Sequence, residues 1–291
     1  MKMEKALWFG SVAALLALGT ACNDTSLASA PVSGAKPTAV ISGVQEYGPL
    51  DTATFDGSAS FAVDPKTITA YEWSISARPS GSTSLVQPLG AGSQVDFFVD
   101  VAGDYKIKLK VTDTEGLTDA TEYAFSAVPS QSLHVELTWQ NQYTQADMDL
   151  HLINKSSNGS FDDSTRDCYY SNCKPDGFGQ PLDWGVSGNQ LDDPTLDIDN
   201  ITDSVPENIN IKKPASGVYQ VAVHYFASHA SSGGDIPVDC HVKIYLDGAV
   251  GWEGDMHFTA ANQVWNVGDV TWAGGQGSVT PNGNLGTTTG F

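Results

Sequence analysis

Tyr105-Lys106-Ile107-Lys108-Leu109-Lys110-Val111 puts an apolar residue at every odd position and a lysine at every even one. Successive side chains of a strand point to opposite faces, so this stretch reads as a strand with one face in a core and the other in water. The same period of two returns at 38–41, 70–75 and 121–127. Clusters of Gly, Asp, Pro and Ser separate these runs, as an antiparallel sandwich requires. Leu133-His134-Val135-Glu136-Leu137-Thr138-Trp139 opens a second series, continued at 218–225, 238–246 and 264–272. No segment sustains a helical period. The expected fold class is all-β, with two consecutive β-sandwich domains over 37–130 and 131–272 and Val128-Pro129-Ser130-Gln131 between them.

Composition agrees with this reading. A chain of 291 residues with 41% hydrophobic content has room for two cores, and its 29 Gly and 14 Pro suit short strands joined by turns. The 14 Lys+Arg stand against 34 Asp+Glu, a net charge of −20. Phosphate backbones and anionic headgroups repel such a chain, so nucleic acid is excluded as an expected partner. At the start, Lys2 and Lys5 precede an apolar run from Ala6 to Leu18, small residues and Cys22. As a helix that run covers about 20 Å against roughly 30 Å of hydrocarbon, so 1–21 reads as an export signal rather than a membrane span. Leu18-Gly19-Thr20-Ala21-Cys22 resembles the lipobox of bacterial lipoproteins, with Gly19 where leucine is usual. The resemblance implies acylation of Cys22 and an extracytoplasmic chain that meets the membrane through its N-terminal lipid only, at the outer membrane. Residues 22–36, rich in Ser, Ala and Pro, read as a flexible tether. Residues 273–291, nearly all Gly, Thr, Asn and Ser, read as a disordered tail.

Within the first domain, Phe55-Asp56-Gly57-Ser58-Ala59-Ser60, Tyr71-Glu72-Trp73 and Gly103-Asp104-Tyr105…Val111-Thr112-Asp113 resemble the PKD domain, an immunoglobulin-like module of surface and secreted proteins. The resemblance implies that Trp73 lies between the sheets and that Asp56 caps its own turn. It implies a spacer or a weak adhesion unit.

The second domain carries the candidate chemistry. In Asp147-Met148-Asp149-Leu150-His151-Leu152 the apolar residues take one strand face, which leaves Asp147, Asp149 and His151 together on the other. Alternate Cα positions are about 7 Å apart, close enough for two carboxylates to reach one cation. The pattern recurs at Asp192-Asp193-Pro194-Thr195-Leu196-Asp197-Ile198-Asp199, followed by Asp203 and Glu207 with no basic residue among them. Oxygen-rich sets of this kind suit a hard cation, so Ca²⁺ is the expected cofactor, with Asp147, Asp149, Asp193, Asp197, Asp199 and Glu207 as its ligands. The alternative is a solvated acidic surface. The region 154–210 that holds most of these residues reads as one long acidic loop.

Trp139…Asp147-Met148-Asp149-Leu150-His151-Leu152, Leu196-Asp197-Ile198-Asp199…Pro206-Glu207-Asn208-Ile209 and Gly217-Val218-Tyr219-Gln220-Val221-Ala222-Val223 resemble a family of uncharacterised bacterial domains that includes the YfaP-like (DUF2135) proteins. Ser204-Val205 stand where that family often has a glycine before the Pro-Glu pair. The resemblance implies a secreted β-sandwich, here expected to be jelly-roll-like, with a suspected metal site and no settled activity.

Cys168 and Cys173 flank four loop residues and are expected to form a disulfide. Cys240 shares parity with Val238 and Val242 and reads as a core thiol. His224 and His241 fall on the polar parity of their strands, and with His229 and His257 they share no motif, so zinc is not expected. No GxSxG elbow, HExxH, phosphate-cradling glycine loop or Cys-His nucleophile is present, and the chain is not expected to be an enzyme. Tyr169, Tyr170, Trp184 and Trp252 are expected in loops, where they could stack on an extracellular glycan or on a protein. The expected function is a calcium-stabilised binding or adhesion module. A structural or accessory envelope lipoprotein is the alternative, and a metal-dependent hydrolase the more distant one.

Overall fold

The computed structural model describes residues 34–140, 146–174, 182–201, 206–229 and 233–290; the export signal, Cys22 and Asp203 lie outside the described residues. The first domain holds β1 (Glu46–Tyr47), β2 (Thr52–Asp56), β3 (Ile68–Ala77), β4 (Val86–Leu89), β5 (Gln94–Phe98), β6 (Gly103–Asp113) and β7 (Thr118–Ala127). They form a four-stranded sheet, β1-β7-β6-β3, and a three-stranded one, β2-β5-β4. The lysine-alternating stretch is β6: Tyr105, Ile107, Leu109 and Val111 are all buried. Phe55, Phe97 and Phe125 complete an aromatic core between the sheets. Trp73 is half-buried against that core and donates its indole N–H to Gly92 O at 2.8 Å. Asp56 Oδ1 accepts from Ser58 N at 2.7 Å, the expected turn cap.

The second domain holds β8 (Leu133–Gln140), β9 (Ala146–Asn154), β10 (Asp167–Cys168), β11 (Pro194–Ile198), β12 (Glu207–Ile211), β13 (Gly217–Ser228), β14 (Val238–Leu246), β15 (Ala249–Phe258), β16 (Gln263–Ala273) and β17 (Gln276–Thr287). Two five-stranded sheets, β10-β9-β13-β16-β17 and β11-β12-β8-β14-β15, share one apolar core. Cys240 is buried in it as a free thiol.

Three expectations need correction. Residues 276–287 of the expected disordered tail form β17, paired antiparallel along β16 from Ala273↔Gln276 to Gln263↔Thr287. Backbone groups supply that ladder, so polar composition does not forbid it. Gly277 also provides close contact, since a Cβ there would lie 2.3 Å from the Trp272 ring. The expected turn around Trp252 is the middle of β15, where Gly251 and Gly254 leave space for the side chains of Leu246 and Trp252. The expected long loop 154–210 contains β10, β11 and most of β12, and β12 is a fully buried strand paired to β8.

The polar face of β8 meets the first sandwich rather than water. His134, Glu136 and Thr138 are all buried. Glu136 Oε2 accepts from Ala102 N at 2.8 Å, and the Tyr245 hydroxyl donates to Ala102 O at 3.3 Å. Thr138 packs on Gly81, where a Cβ would lie 2.6 Å from its hydroxyl oxygen.

Candidate metal centre

Strand parity sets up the site. Met148, Leu150 and Leu152 of β9 enter the core, and Asp147, Asp149 and His151 take the opposite face as expected. That face is not solvated: Asp149 is 3% exposed and His151 is fully buried. Phe161 and Tyr169, in the segment that follows β9, cover it. Phe161 stacks on the His151 ring at 4.2 Å between centroids, and Tyr169 stacks on it at 5.2 Å. The Cys168–Cys173 disulfide forms as expected and ties this segment down. Cys173 O accepts from Leu196 N of β11 at 2.9 Å, so the staple is attached to the facing sheet.

Glu207 starts β12 on the parity of Ile209 and Ile211, which would aim its carboxylate into the core. It avoids an unpaired burial by accepting from Leu150 N at 2.9 Å and Asn200 N at 3.1 Å. One oxygen each of Asp149, Asp199 and Glu207 thereby come within 4.8 Å of one another. Burial, with Asp147 and Asp199 adding, pushes the Asp149 carboxyl up to about 7 against the pull of His151. Burial and then Asp149 likewise hold Glu207 well above the usual carboxylate range. Lys174 Nζ contacts Asp199 Oδ2 and is the one lysine or arginine paired with this trio among the described residues.

The expected ligand set divides. Asp147 is buried beside Asp149, with His229 Nε2 at 3.4 Å from its Oδ2. Asp197 and Asp199 do not share a face, because a bulge in the β11–β12 ladder between Leu196 and Ile198 breaks the alternation. Asp197 instead accepts from the Asn210 side chain. Asp193 is not in the site: its Oδ1 accepts from Trp184 N at 2.6 Å.

The aromatic set divides too. Trp184 is 4% exposed, stacked on Tyr219, with its indole N–H donated to Thr165 O at 2.9 Å. Trp252 is half-buried against the core, tilted on Trp265. Both correct the expectation of loop aromatics open to a ligand. Tyr169 is half-buried on His151, and Tyr170 is exposed, 5.6 Å from the exposed Phe226 ring.

The sequence reading missed three site residues. His224 of β13 lies directly opposite Asp149 in the ladder, and Ala222 lies opposite His151. One ligand atom each of Asp149, His151 and His224 therefore fall within 4.8 Å of one another. Burial, with His151 adding, lowers His224 to about 4, which leaves its imidazole neutral. Asp167 of β10 holds His151 Nδ1 at 2.8 Å. Burial works to lower His151, but Asp167 and then Asp149 outweigh it and raise its affinity for a proton. Phe226 is the third omission. Its signal in sequence is parity with His224, on a face that the sequence alone assigns to solvent.

No family model matches the chain, and no curated protein matches it. Among solved structures it is similar to the PKD domain from KIAA 1837 protein, at 27% identity over 33% of this chain and 91% of that one, with a TM-score of 0.26. It is also similar to a tetra-tandem repeat in the extending region of a large adhesion protein, at 10% identity over 86% of this chain and 74% of that one, with a TM-score of 0.21. The all-β double sandwich rests on this chain's own strand ladders.

Proposed function

We propose that the chain is a non-enzymatic binding module of the bacterial cell envelope, anchored through lipid on Cys22. In this reading calcium is held by Asp149, Asp199 and Glu207, and an extracellular glycan is bound beside it. The observation that carries the reading is the convergence of those three carboxylates from β9, β12 and the end of β11, two of them buried. Oxygen donors of this kind suit a hard divalent cation, with solvent or ligand oxygens to complete its shell, and Lys174 is the internal cation it would displace from Asp199. The exposed Tyr170–Phe226 pair supports the choice of ligand. Asp149, Asp147 and Asp199 all lie near enough to raise the Tyr170 phenol, after burial itself. A sugar ring could stack on the aromatics while the ion takes its hydroxyls.

The test is an immobilised glycan array probed with the mature chain in calcium and in chelator. Binding should require calcium, and Tyr170→Ser or Phe226→Ser should weaken it about tenfold, the loss of about 1.4 kcal/mol expected of an aromatic contact. Retention of one protein partner with no glycan bound would replace this reading with the accessory role.

A further inference from the structure

We propose that Asp149, His151 and His224 form a second metal site, for a borderline transition metal of the zinc class, with Asp167 as the positioning residue for His151. It is chemically distinct from the calcium reading and stands without it, although Asp149 belongs to both sets.

Three observations carry it. First, the donors are two imidazoles and one carboxylate, a set that suits zinc and does not suit calcium, which takes oxygen. Second, His151 Nε2, His224 Nε2 and Asp149 Oδ2 are each buried with no hydrogen-bond partner among the described residues. Leaving one such atom unpaired costs on the order of 1–3 kcal/mol, and an ion held between the three residues would relieve each atom it ligates. Third, the partner shell is already built. Asp167, itself fully buried, holds Nδ1 of His151 and so leaves the Nε2 lone pair as the free donor. The flat contacts of Phe161 and Tyr169 fix that ring in place.

The fit is close. Tetrahedral zinc with ligands at about 2.1 Å sets their atoms roughly 3.4 Å apart. The His224 ring lies beside Asp149, with its Nδ1 3.8 Å from Oδ2, and one ligand atom of each of the three residues lies within 4.8 Å of the others. Closure needs side-chain shifts of about an ångström, with no change of strand register. All three ligands lie on the paired strands β9 and β13, so the ion would tie these two strands together beneath Phe161 and Tyr169. It gives Phe161 and Tyr169 a rigid base, and it fixes the floor beneath the exposed Tyr170.

The test uses the mature full chain, stripped by chelator, with zinc titrated calorimetrically and Co²⁺ as an optical probe. One tight site is expected, with visible Co²⁺ bands of nitrogen and oxygen ligation. His224→Gln should abolish it, and Asp167→Asn should weaken it about 10- to 100-fold while the ligands remain. Asp199→Asn should leave zinc affinity unchanged while weakening calcium, so failure of one site can be told from failure of the other. Unchanged zinc affinity and stoichiometry in His224→Gln would overturn the proposal and place the ion elsewhere, for instance at the exposed His241–Asp255 or His257–Asp239 pairs. Should His224→Gln lose its far-UV spectrum, imidazole ¹⁵N shifts of the unaltered chain decide. Zinc must move His151 and His224, and movement confined to other histidines would overturn the site.

Discussion

Chelation of divalent cations should lower the melting temperature of the second sandwich by about 5–10 °C at pH 8, and by much less at pH 5. The size follows from linkage. An ion at a hundredfold excess over its dissociation constant stabilises the folded state by about 2.7 kcal/mol, and each kcal/mol is worth about 2–4 °C in a domain of this size. The pH dependence follows from the carboxylates. Asp149 has its folded-state pKa raised from 3.8 to about 7, so its protonated form favours folding. That contribution is complete below about pH 4 and is lost as pH rises to about 7. Asp147, Asp167 and Glu207 are raised by burial and act in the same sense. His151, also raised, loses its contribution as pH rises through its folded pKa. His224 opposes them: lowered to about 4, it costs stability as pH falls from about 6.5. The metal-free chain therefore melts higher at pH 5 than at pH 8. A bound cation should reverse that order, because it would stabilise the ionised carboxylates and protons would compete with it. Asp149→Asn should remove the chelator effect at pH 8, and Asp235→Ala, on an exposed loop, should not. Superimposable melts with and without chelator, followed by near-UV circular dichroism, would reject every cation in this face.

Much of the fold was legible because period-two alternation is a local signal. Tyr105 to Val111, Leu133 to Trp139 and Met148 to Leu152 all bury the residues their parity assigns. The same signal could not say what covers the opposite face. On β8 it is the first sandwich, and on β9 it is a segment capped by Phe161 and Tyr169. The candidate metal centre was half legible for the same reason. Asp149 and His151 share a face by parity alone, but their meeting with His224 depends on the β9–β13 register, which no local pattern encodes. The bulge that separates Asp197 from Asp199 is equally silent in sequence, since one extra residue inverts parity without altering composition. β17 escaped notice because a glycine-rich edge strand carries no alternation to read.

Asp100→Ala should cost about 3–5 kcal/mol and melt the first sandwich more than 10 °C early, on the scale of about 4–8 °C per kcal/mol for a domain of under 100 residues. Asp100 is 1% exposed, and nothing in its sequence context marks it. Its Oδ1 accepts from the Ser82 hydroxyl at 2.6 Å, Val101 N at 3.1 Å and the Tyr105 hydroxyl at 3.1 Å. Its Oδ2 accepts from Thr83 N at 2.6 Å and Ser84 N at 3.0 Å. One carboxylate thus closes the turn before β4 onto the start of β6, and its removal strands several donors at once. Asp100→Asn keeps one oxygen but sets an amide N–H₂ against other donors, so it should recover less than half of the loss. Asp104→Ala, four residues on and exposed, gives up only its bond from the Ser126 hydroxyl and should change stability by no more than about 0.5 kcal/mol. The consequence reaches the second domain, because Ala102 beside this turn carries the bonds to Glu136 and Tyr245. In a calorimetric scan Asp100→Ala should therefore lower the first transition strongly and the second slightly. Equal melts for Asp100→Ala and Asp104→Ala would show that the turn is held by its backbone alone.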